Sequence, residues 1–325
     1  MRNSSLLGKI LLLFYLSLSS SLAQGKDKLQ HHPERKSDVL VPFLSYLFPG
    51  FGQWVEGDYG AGFVYSGVAV GSLSYSLQHT NELQRSGYSE DEINEKLTDL
   101  QSKDSVVRKI RLGSQTRDLM GGLSAYQSFR SAVKSRQVHG EYLFLTKEEK
   151  VSEIMTAPFR FEYLKRSTTY IPLGIIGAYA ALVLASSDEA IAESNLRKSV
   201  FTSEDAVYVG ATSYNAGVWE EAFFRGWMMP VFMESMNSEL WSNVASAGIF
   251  ALAHASSVPI PIAQALLGFH FGVVSQDNDW TIGEATFIHA WWDVVALAVS
   301  YNFEKIDPKQ SVKPMLTLPP LLLSF

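Results

Sequence analysis

The chain has 325 residues, contains no cysteine and carries a formal net charge of −6 at pH 7. The lack of cysteine excludes structural disulfides, thiolate zinc sites, cysteine nucleophiles and lipoprotein processing, and the mildly acidic balance gives no indication of nucleic acid as a partner. Near-neutral mean hydropathy conceals several long apolar runs and one polar segment. We therefore predict an all-α, polytopic membrane helical bundle that carries an amphipathic helical insert.

The first residues have the organisation of a secretory signal. Basic residues flank a polar start, residues 10–18 form an apolar core too short to span a bilayer comfortably, and a small-residue cleavage site ends at Ala23. We predict a signal peptide over residues 1–23 and a polar linker over residues 24–38; the alternative is an uncleaved anchor. Such targeting favours a multi-pass protein of a bacterial inner membrane.

Next come two apolar runs, 39–48 and 59–77, joined by the sequence Pro-Gly-Phe-Gly-Gln. Proline and glycine cannot continue a helix, so the pair predicts a membrane hairpin over residues 39–77. It resembles small two-helix membrane modules with a Pro-Gly-x-Gly-Gln turn, a resemblance that implies no chemistry. Gly67 and Gly71 have the Gly-x-x-x-Gly spacing, which predicts a close helix-packing face.

A polar segment of mixed charge follows over residues 78–166. Ile93, Leu97 and Leu100 recur at helical spacing. This pattern favours amphipathic helices that lie on the membrane surface or pack over the bundle. His79, like the other histidines of the polar segments, is expected at the protein surface.

A second group of apolar segments occupies residues 167–303, and a proline-broken tail occupies residues 304–325. Each segment is predicted to be a membrane helix, although not every one is long enough for a full span. Their limits are approximately 169–187, 207–233, 240–256, 262–274 and 282–301.

Six ionisable residues that fall in three short motifs lie inside these apolar segments. A single such side chain near the bilayer centre costs roughly 2.5–3.5 kcal/mol on insertion scales. A chain carries several of them only if the groups meet in a polar cavity and act there, so we predict a buried reaction site. The residues are Glu220, Glu221, Arg225, His254, His289 and Asp293.

Helical spacing indicates which of these groups can meet. Glu221 and Arg225 are four residues apart on one face, with the acid N-terminal, whereas Glu220 lies about 100° around the helix and is free to face a cavity. His289 and Asp293 are also four residues apart. A buried carboxylate beside a neutral imidazole can deprotonate water. No serine or cysteine has a convincing nucleophile context, which favours direct attack by water.

The motifs Glu-Glu-x-x-x-Arg, Phe-x-x-x-His and His-x-x-x-Asp, in this order on successive helices, resemble those of the CAAX protease and bacteriocin-processing (CPBP) family of intramembrane endopeptidases. The resemblance covers roughly residues 165–303. It implies an intramembrane protease domain in which Glu220 activates water together with His254. It further implies that Glu221 and Arg225 support Glu220.

On the same resemblance, His289 and Asp293 form the side of the site that stabilises the oxyanion. Many family members have asparagine where this chain has Asp293. An amide donates a hydrogen bond to an oxyanion, whereas an ionised carboxylate repels it. Asp293 must therefore be protonated, orient His289 or bind a cation.

Alternatives to a water-activating protease remain at the level of sequence. Glu220, His254, His289 and Asp293 could hold a divalent metal with an open position, although the His-Glu-x-x-His arrangement is absent and the resemblance implies no required cofactor. A catalytically silent membrane scaffold or peptide-binding protein is a second alternative. An ion-coupled transporter would predict internal repeats, and none is visible. The expected partners are a peptide or membrane-protein substrate and the lipid bilayer.

Overall fold

The structure is a computed structural model, and it describes residues 37–99, 102–186, 196–254 and 261–305. Over these residues the fold is all-α, as predicted, apart from one short pair of antiparallel strands. The predicted signal peptide lies outside the described residues, as do most of the linker and most of the C-terminal tail. The predicted division into domains is not tested and stays a prediction.

Helices account for most of the described chain. In chain order they are α1 (Leu40–Leu47), α2 (Phe51–Glu56), α3 (Tyr59–Arg85), α4 (Glu90–Thr98), α5 (Ser105–Gln137), α6 (Val151–Thr156), α7 (Ser167–Leu184), α8 (Ser203–Phe223), α9 (Met229–Met236), α10 (Glu239–Ala253), α11 (Ile262–Asp277) and α12 (Gly283–Tyr301).

Shorter elements connect these helices. Two 3₁₀ turns precede α7, a π-helical turn joins α8 to α9 without a break, and strand β1 pairs with β2 in antiparallel register. Their bounds are Ala157–Phe159, Phe161–Lys165, Phe224–Met228, Leu196–Lys198 and Phe303–Lys305.

The glycine-rich turn between α1 and α3 is fixed by contacts with α5. Gly50 has a φ of 97°, and a Cβ there would lie 2.4 Å from the Gly62 carbonyl oxygen, so the turn requires glycine. The Gly50 N–H donates to Ser124 Oγ over 2.8 Å, and buried Gln53 donates from Nε2 to the Ser124 carbonyl over 3.0 Å. The glycine and the glutamine of the turn therefore dock the hairpin on α5.

The predicted packing face at Gly67 and Gly71 is wrong. A Cβ at either position would meet no atom of the described residues within 4 Å. Helix α3 instead buries Tyr65 and Ala69, together with Gly62, which lies against the Trp54 ring. Glycines spaced four apart allow close approach, but they do not determine which face of a helix finds a neighbour.

Helix α5 is the centre of the bundle, although it comes from the polar segment. It has 33 residues, packs against α1, α3 and α8, and buries the fully enclosed side chains of Leu123 and Phe129. The two positions expected for these helices, on the membrane surface or packed over the bundle, are both wrong for α5, which lies within the bundle. The surface position expected for His79 is wrong, because its ring is buried and Nδ1 is 2.8 Å from Glu82 Oε2.

The apolar segments of the second half fold as helices α7 to α12. Among the described residues, one helix, Ser167–Leu184, is both long enough and apolar enough to cross a membrane by these criteria alone. The polytopic arrangement is therefore a proposal. Helices α9, α10 and α11 have only 8, 15 and 16 residues. Helices α8 and α12 are longer but carry polar groups that lower their hydropathy, and several of those groups are buried in the bundle.

Helices α8 and α12 approach each other closely at Gly217. A Cβ at this position would lie 2.8 Å from the Ala290 backbone nitrogen and 2.9 Å from its Cα, closer than real contacts allow. Glycine at 217 thus lets the two backbones touch. One turn farther along each helix lie the glutamate pair and Asp293, so this contact positions the candidate site.

Candidate functional site

The six ionisable residues predicted from the apolar segments lie in one region of the fold. Glu220, His254, His289 and Asp293 line a cavity of about 140 Å³ enclosed by α5, α8, α10, α11 and α12. Glu221 and Arg225 lie behind the wall of this cavity and are fully buried. Three separate helices therefore bring together residues up to 73 positions apart in the sequence.

Glu221 and Arg225 form the ion pair that their spacing predicts. Arg225 Nη1 donates to Glu221 Oε1 over 2.9 Å, and Nη2 donates to the Gly268 carbonyl of α11 over 2.8 Å. The guanidinium carbon also lies 4.5 Å from the centroid of the Phe250 ring on α10. A buried charge that is shielded from water is stable only with partners of this kind. Arg225 therefore connects α8, α10 and α11 through its contacts.

His289 is held by Glu221, a contact that the sequence did not indicate. Its Nδ1 lies 2.8 Å from Glu221 Oε1. A carboxylate accepts at this distance, so Nδ1 carries a proton and Nε2 faces the cavity. The ring stacks on Phe271, with centroids 5.0 Å apart and planes 22° apart. Glu221 therefore orients both Arg225 and His289.

Glu220 is the glutamate that faces open space. Its Oε2 is buried and has no hydrogen-bond partner in the described parts of the chain, and it lies 3.8 Å from His254 Nε2 and 3.9 Å from His289 Nε2. Both separations are too long for a direct hydrogen bond. Polar atoms separated in this way are suited to sharing a bridging water molecule.

The protonation of His254 follows from its own contact. Its Nδ1 lies 2.8 Å from the Phe250 carbonyl oxygen, which can only accept, so Nδ1 carries the proton. In the neutral ring, Nε2 is then an acceptor directed at Glu220. The four-residue spacing between Phe250 and His254 places this carbonyl one helical turn before the ring.

Asp293 lies one turn beyond His289 on α12, as their spacing predicts. Its Oδ2 is 3.6 Å from His289 Nε2, and the residue is 7% exposed. The Asp293 carboxyl group therefore faces the ring nitrogen that is not bound to Glu221. This arrangement fits an orienting role of Asp293 toward His289.

A π-helical turn over Phe224–Met228 immediately follows the glutamates. Such turns are rare and occur mostly at functional sites. Here the turn contains Arg225 and also Gly226, where a Cβ would lie 2.4 Å from Cδ2 of the Tyr126 ring. Nothing in the local sequence pattern distinguishes a π turn from continued α-helix, so the sequence did not reveal it.

Sequence reasoning also missed cavity walls that lie outside the three motifs. Arg111 and Gln115 reach the cavity from α5, and Tyr208 and Thr212 reach it from the first half of α8. A signal existed on α8, because these residues recur every four positions toward Glu220. The apolar walls are Phe250, Leu267, Phe271, Trp292 and Leu297.

A metal centre was the alternative for four of these side chains. Within the described parts of the chain, no group of three or more histidine, aspartate or glutamate side chains is arranged to hold a metal ion. The dependence of any activity on metal stays a question for experiment.

Comparison with known proteins supports the resemblance drawn from the motifs. Residues 202–295 match a family model described as Rce1-like, type II CAAX prenyl endopeptidase. This family is part of the CPBP family and consists of integral membrane proteases, so the resemblance is confirmed for this segment. The match covers less than a third of the chain, and it includes all six residues of the motifs. No curated protein and no solved structure matches the chain.

Proposed function

We propose that the protein is an intramembrane endopeptidase that hydrolyses a peptide bond with water activated by Glu220 and His254. The observation that carries the proposal is the pair of facing acceptors in one cavity: Glu220 Oε2, which has no hydrogen-bond partner among the described residues, lies 3.8 Å from His254 Nε2. The match of residues 202–295 to a family of endopeptidases supports the same reaction.

The two acceptors define how water would be oriented. A water molecule that donates one hydrogen to Glu220 and the other to His254 directs its lone pairs toward a substrate carbonyl carbon. As the new C–O bond forms, Glu220 takes the proton of the water as general base. Glu220 then returns this proton to the departing amide nitrogen, and the C–N bond breaks to give a carboxylate and an amine.

His289 and Asp293 would stabilise the oxyanion that forms during the attack. Because His289 Nδ1 donates to Glu221, only Nε2 is left to face the substrate. The Asp293 carboxylate at 3.6 Å attracts a proton to Nε2, and a protonated Nε2 can donate to the oxyanion. This role reconciles aspartate at position 293 with a site in which asparagine is more usual.

The apolar surface supports a location within the bilayer. Large apolar side chains are exposed on α3, α7, α10 and α11, while Glu220 and Glu221 of α8 and Asp293 of α12 are buried. Such inward orientation is typical of ionisable residues in membrane helices. We extend the proposal to a multi-pass protein of a bacterial inner membrane. Examples of the exposed side chains are Phe63, Ile175, Leu240 and Leu266, each at least 56% exposed.

The proposal is tested by comparing the cleaved termini of membrane proteins between cells with the wild-type protein and cells with Glu220→Gln at equal abundance. We expect a set of termini to vanish in the variant. The matched control is Glu204→Gln, which changes an exposed glutamate at the start of the same helix. Identical termini in all three strains, with folded protein present, would favour a catalytically silent scaffold.

Metal dependence is tested on the purified protein with a substrate taken from those termini. We expect cleavage to survive dialysis against a chelator, because Glu220 and His254 are sufficient to polarise water. Loss of cleavage on dialysis, with recovery on adding one divalent ion, would favour the metal-dependent alternative with Glu220, His254, His289 and Asp293 as ligands.

A further inference from the structure

The cavity continues away from the glutamates along α8. Tyr208, Thr212, Ala216 and Glu220 follow one another at intervals of four residues and all line it. At a rise of about 1.5 Å per residue, Thr212 lies about 12 Å along the helix from Glu220. The far end of the cavity is therefore a separate region from the reaction site.

Arg111 of α5 lines this cavity with part of its guanidinium unpaired. Nη2 donates to the carbonyls of Lys96 and Leu97 at the end of α4 over 3.1 and 2.9 Å, and Nε lies 3.3 Å from the Leu97 carbonyl. Nη1 is buried and has no hydrogen-bond partner among the described residues. One edge of the guanidinium is thus anchored, and the other is a buried cationic donor without an acceptor.

Besides Arg111 Nη1, four polar atoms that line the same cavity are buried without hydrogen-bond partners among the described residues. Glu220 Oε2 belongs to the reaction site and Trp292 Nε1 to the apolar wall; the other two are Oε1 of Gln115, one turn after Arg111 on α5, and Oγ1 of Thr212 on α8. The oxygen and nitrogen of a glutamine side chain are interchangeable in assignment, so the amide of Gln115 can present a donor there. Buried polar atoms without partners are costly, and the three on Arg111, Gln115 and Thr212, outside the reaction site, indicate a missing ligand.

We propose that Arg111, Gln115 and Thr212 form a subsite that binds a carboxylate of the substrate peptide. A guanidinium edge flanked by an amide and a hydroxyl complements a carboxylate, which accepts through two oxygens. The subsite rests on the proposed function, because the peptide is what brings the carboxylate. An extended chain covers about 12 Å in three to four residues, so the carboxylate belongs that far from the cleaved bond.

The carboxylate can be the free C-terminus of the substrate or an acidic side chain. The probes are internally quenched apolar peptides in which four residues follow the cleaved bond. One peptide ends in a carboxylate and one in an amide, and a third ends in an amide but carries aspartate as its last residue. Preference for the first over the third identifies a C-terminus, and the reverse preference identifies an acidic side chain.

Kinetics with the purified full-length protein test the role of Arg111. We expect Arg111→Gln to raise KM for the preferred carboxylate peptide by about tenfold or more. The kcat for that peptide and the KM for the uncharged amide peptide are expected to change little. Lys109→Gln removes a charge from the same helix but not from the cavity, and it is expected to leave KM unchanged. An equal rise for charged and uncharged peptides in Arg111→Gln would overturn the inference.

Thr212→Val is a second test that does not depend on the contacts between Arg111 and α4. It replaces a buried, unpaired hydroxyl with a methyl group of similar size, so folding is preserved. We expect the preference for carboxylate over amide to fall severalfold. A preference unchanged in Thr212→Val and in Gln115→Leu would remove both residues from the subsite.

Binding to the Glu220→Gln protein, measured by fluorescence anisotropy with the same peptides, separates this inference from the proposed function. One outcome is that a carboxylate peptide binds preferentially, that this preference is lost in Arg111→Gln, and that the wild-type protein cleaves none of the peptides. This outcome would support the subsite and contradict the proposed protease function. Cleavage without any carboxylate preference keeps the protease and overturns the subsite. Equal binding of all three peptides, or binding of none, also overturns the subsite.

Discussion

The buried ion pair between Glu221 and Arg225 allows stability and catalysis to be separated by mutation. Arg225→Met removes a guanidinium that is fully buried and donates to Glu221 and to the Gly268 carbonyl. Breaking a buried pair by removing one partner costs roughly 3–5 kcal/mol. Because domains are stable by only about 5–15 kcal/mol, we expect a large fall in the unfolding temperature together with loss of cleavage.

The double variant Glu221→Leu, Arg225→Met removes both charges and keeps similar volume. Replacing a buried pair by apolar residues is often neutral or stabilising, so we expect most of the lost stability to return. Cleavage is not expected to return, because His289 Nδ1 loses the acceptor that orients its ring. Tryptophan fluorescence during thermal unfolding in detergent reports stability, and the substrate from the cleaved-terminus comparison reports activity.

The matched control is Arg160→Met, which breaks an exposed pair with Glu162 and is expected to cost less than about 1 kcal/mol. Two results would refute the reasoning. The first is an Arg225→Met protein as stable as the control, because the pair would then contribute nothing to folding. The second is a double variant that cleaves at the wild-type rate, because Glu221 would then have no role in positioning His289.

Three further changes test other parts of the structure. Gly217→Val forces α8 and α12 apart and is expected to lower the free energy of unfolding by about 1–3 kcal/mol and to abolish cleavage. The control is Gly210→Ala, whose added methyl group meets open space. Equal losses of stability in the two variants would contradict the close approach of the helices. Asp293→Asn is expected to cleave with a kcat within about tenfold of the wild type, whereas Asp293→Leu is expected to lose about 10²–10³ in kcat. An Asp293→Leu protein that cleaves at the wild-type rate would exclude Asp293 from the site. Burial alone would raise the pKa of Asp205, but hydrogen bonds and the Arg108 guanidinium lower it to about 2. Its carboxylate therefore stabilises the fold by about 2–3 kcal/mol above pH 4, and this contribution is lost as the pH falls from 4 to 2. The unfolding temperature of Asp205→Asn should depend less on pH than that of the wild type. An equal pH dependence in the two proteins would contradict the assignment.

Spacing within one helix predicted individual contacts, whereas between helices the sequence predicted that the motif residues meet in one cavity but not which of them pair. The Glu221–Arg225 pair follows from a four-residue spacing, because that spacing puts both side chains on one face whatever surrounds the helix. The contact between His289 and Glu221 depends on how α8 and α12 are placed side by side, which spacing within a helix does not determine. The wrong prediction at Gly67 has the same origin. The spacing of the glycines describes one face of a helix, and it does not determine whether another helix packs against that face.

Polarity along the sequence was a poor guide to which segments form the core. Residues 78–166 contain many charges, yet α5 buries Leu123 and Phe129 and has Gly122 against the Trp219 backbone, next to Glu220. A Cβ at Gly122 would lie 2.7 Å from the Trp219 carbonyl oxygen, so α5 determines where this part of α8 lies. The sequence predicted amphipathic helices in this segment, but the polarity of the segment as a whole favoured a position on the surface or over the bundle rather than at its centre.

The position of α5 shows that the candidate site extends beyond the segment that matches the family model. Residues 202–295 contain the six motif residues, but Arg111 and Gln115, which line the same cavity, belong to α5. Without α5 the cavity loses one wall, and α8 loses the neighbour that fixes its backbone beside Glu220. The matched segment therefore contains the six motif residues, while a helix from outside it forms part of the wall around them.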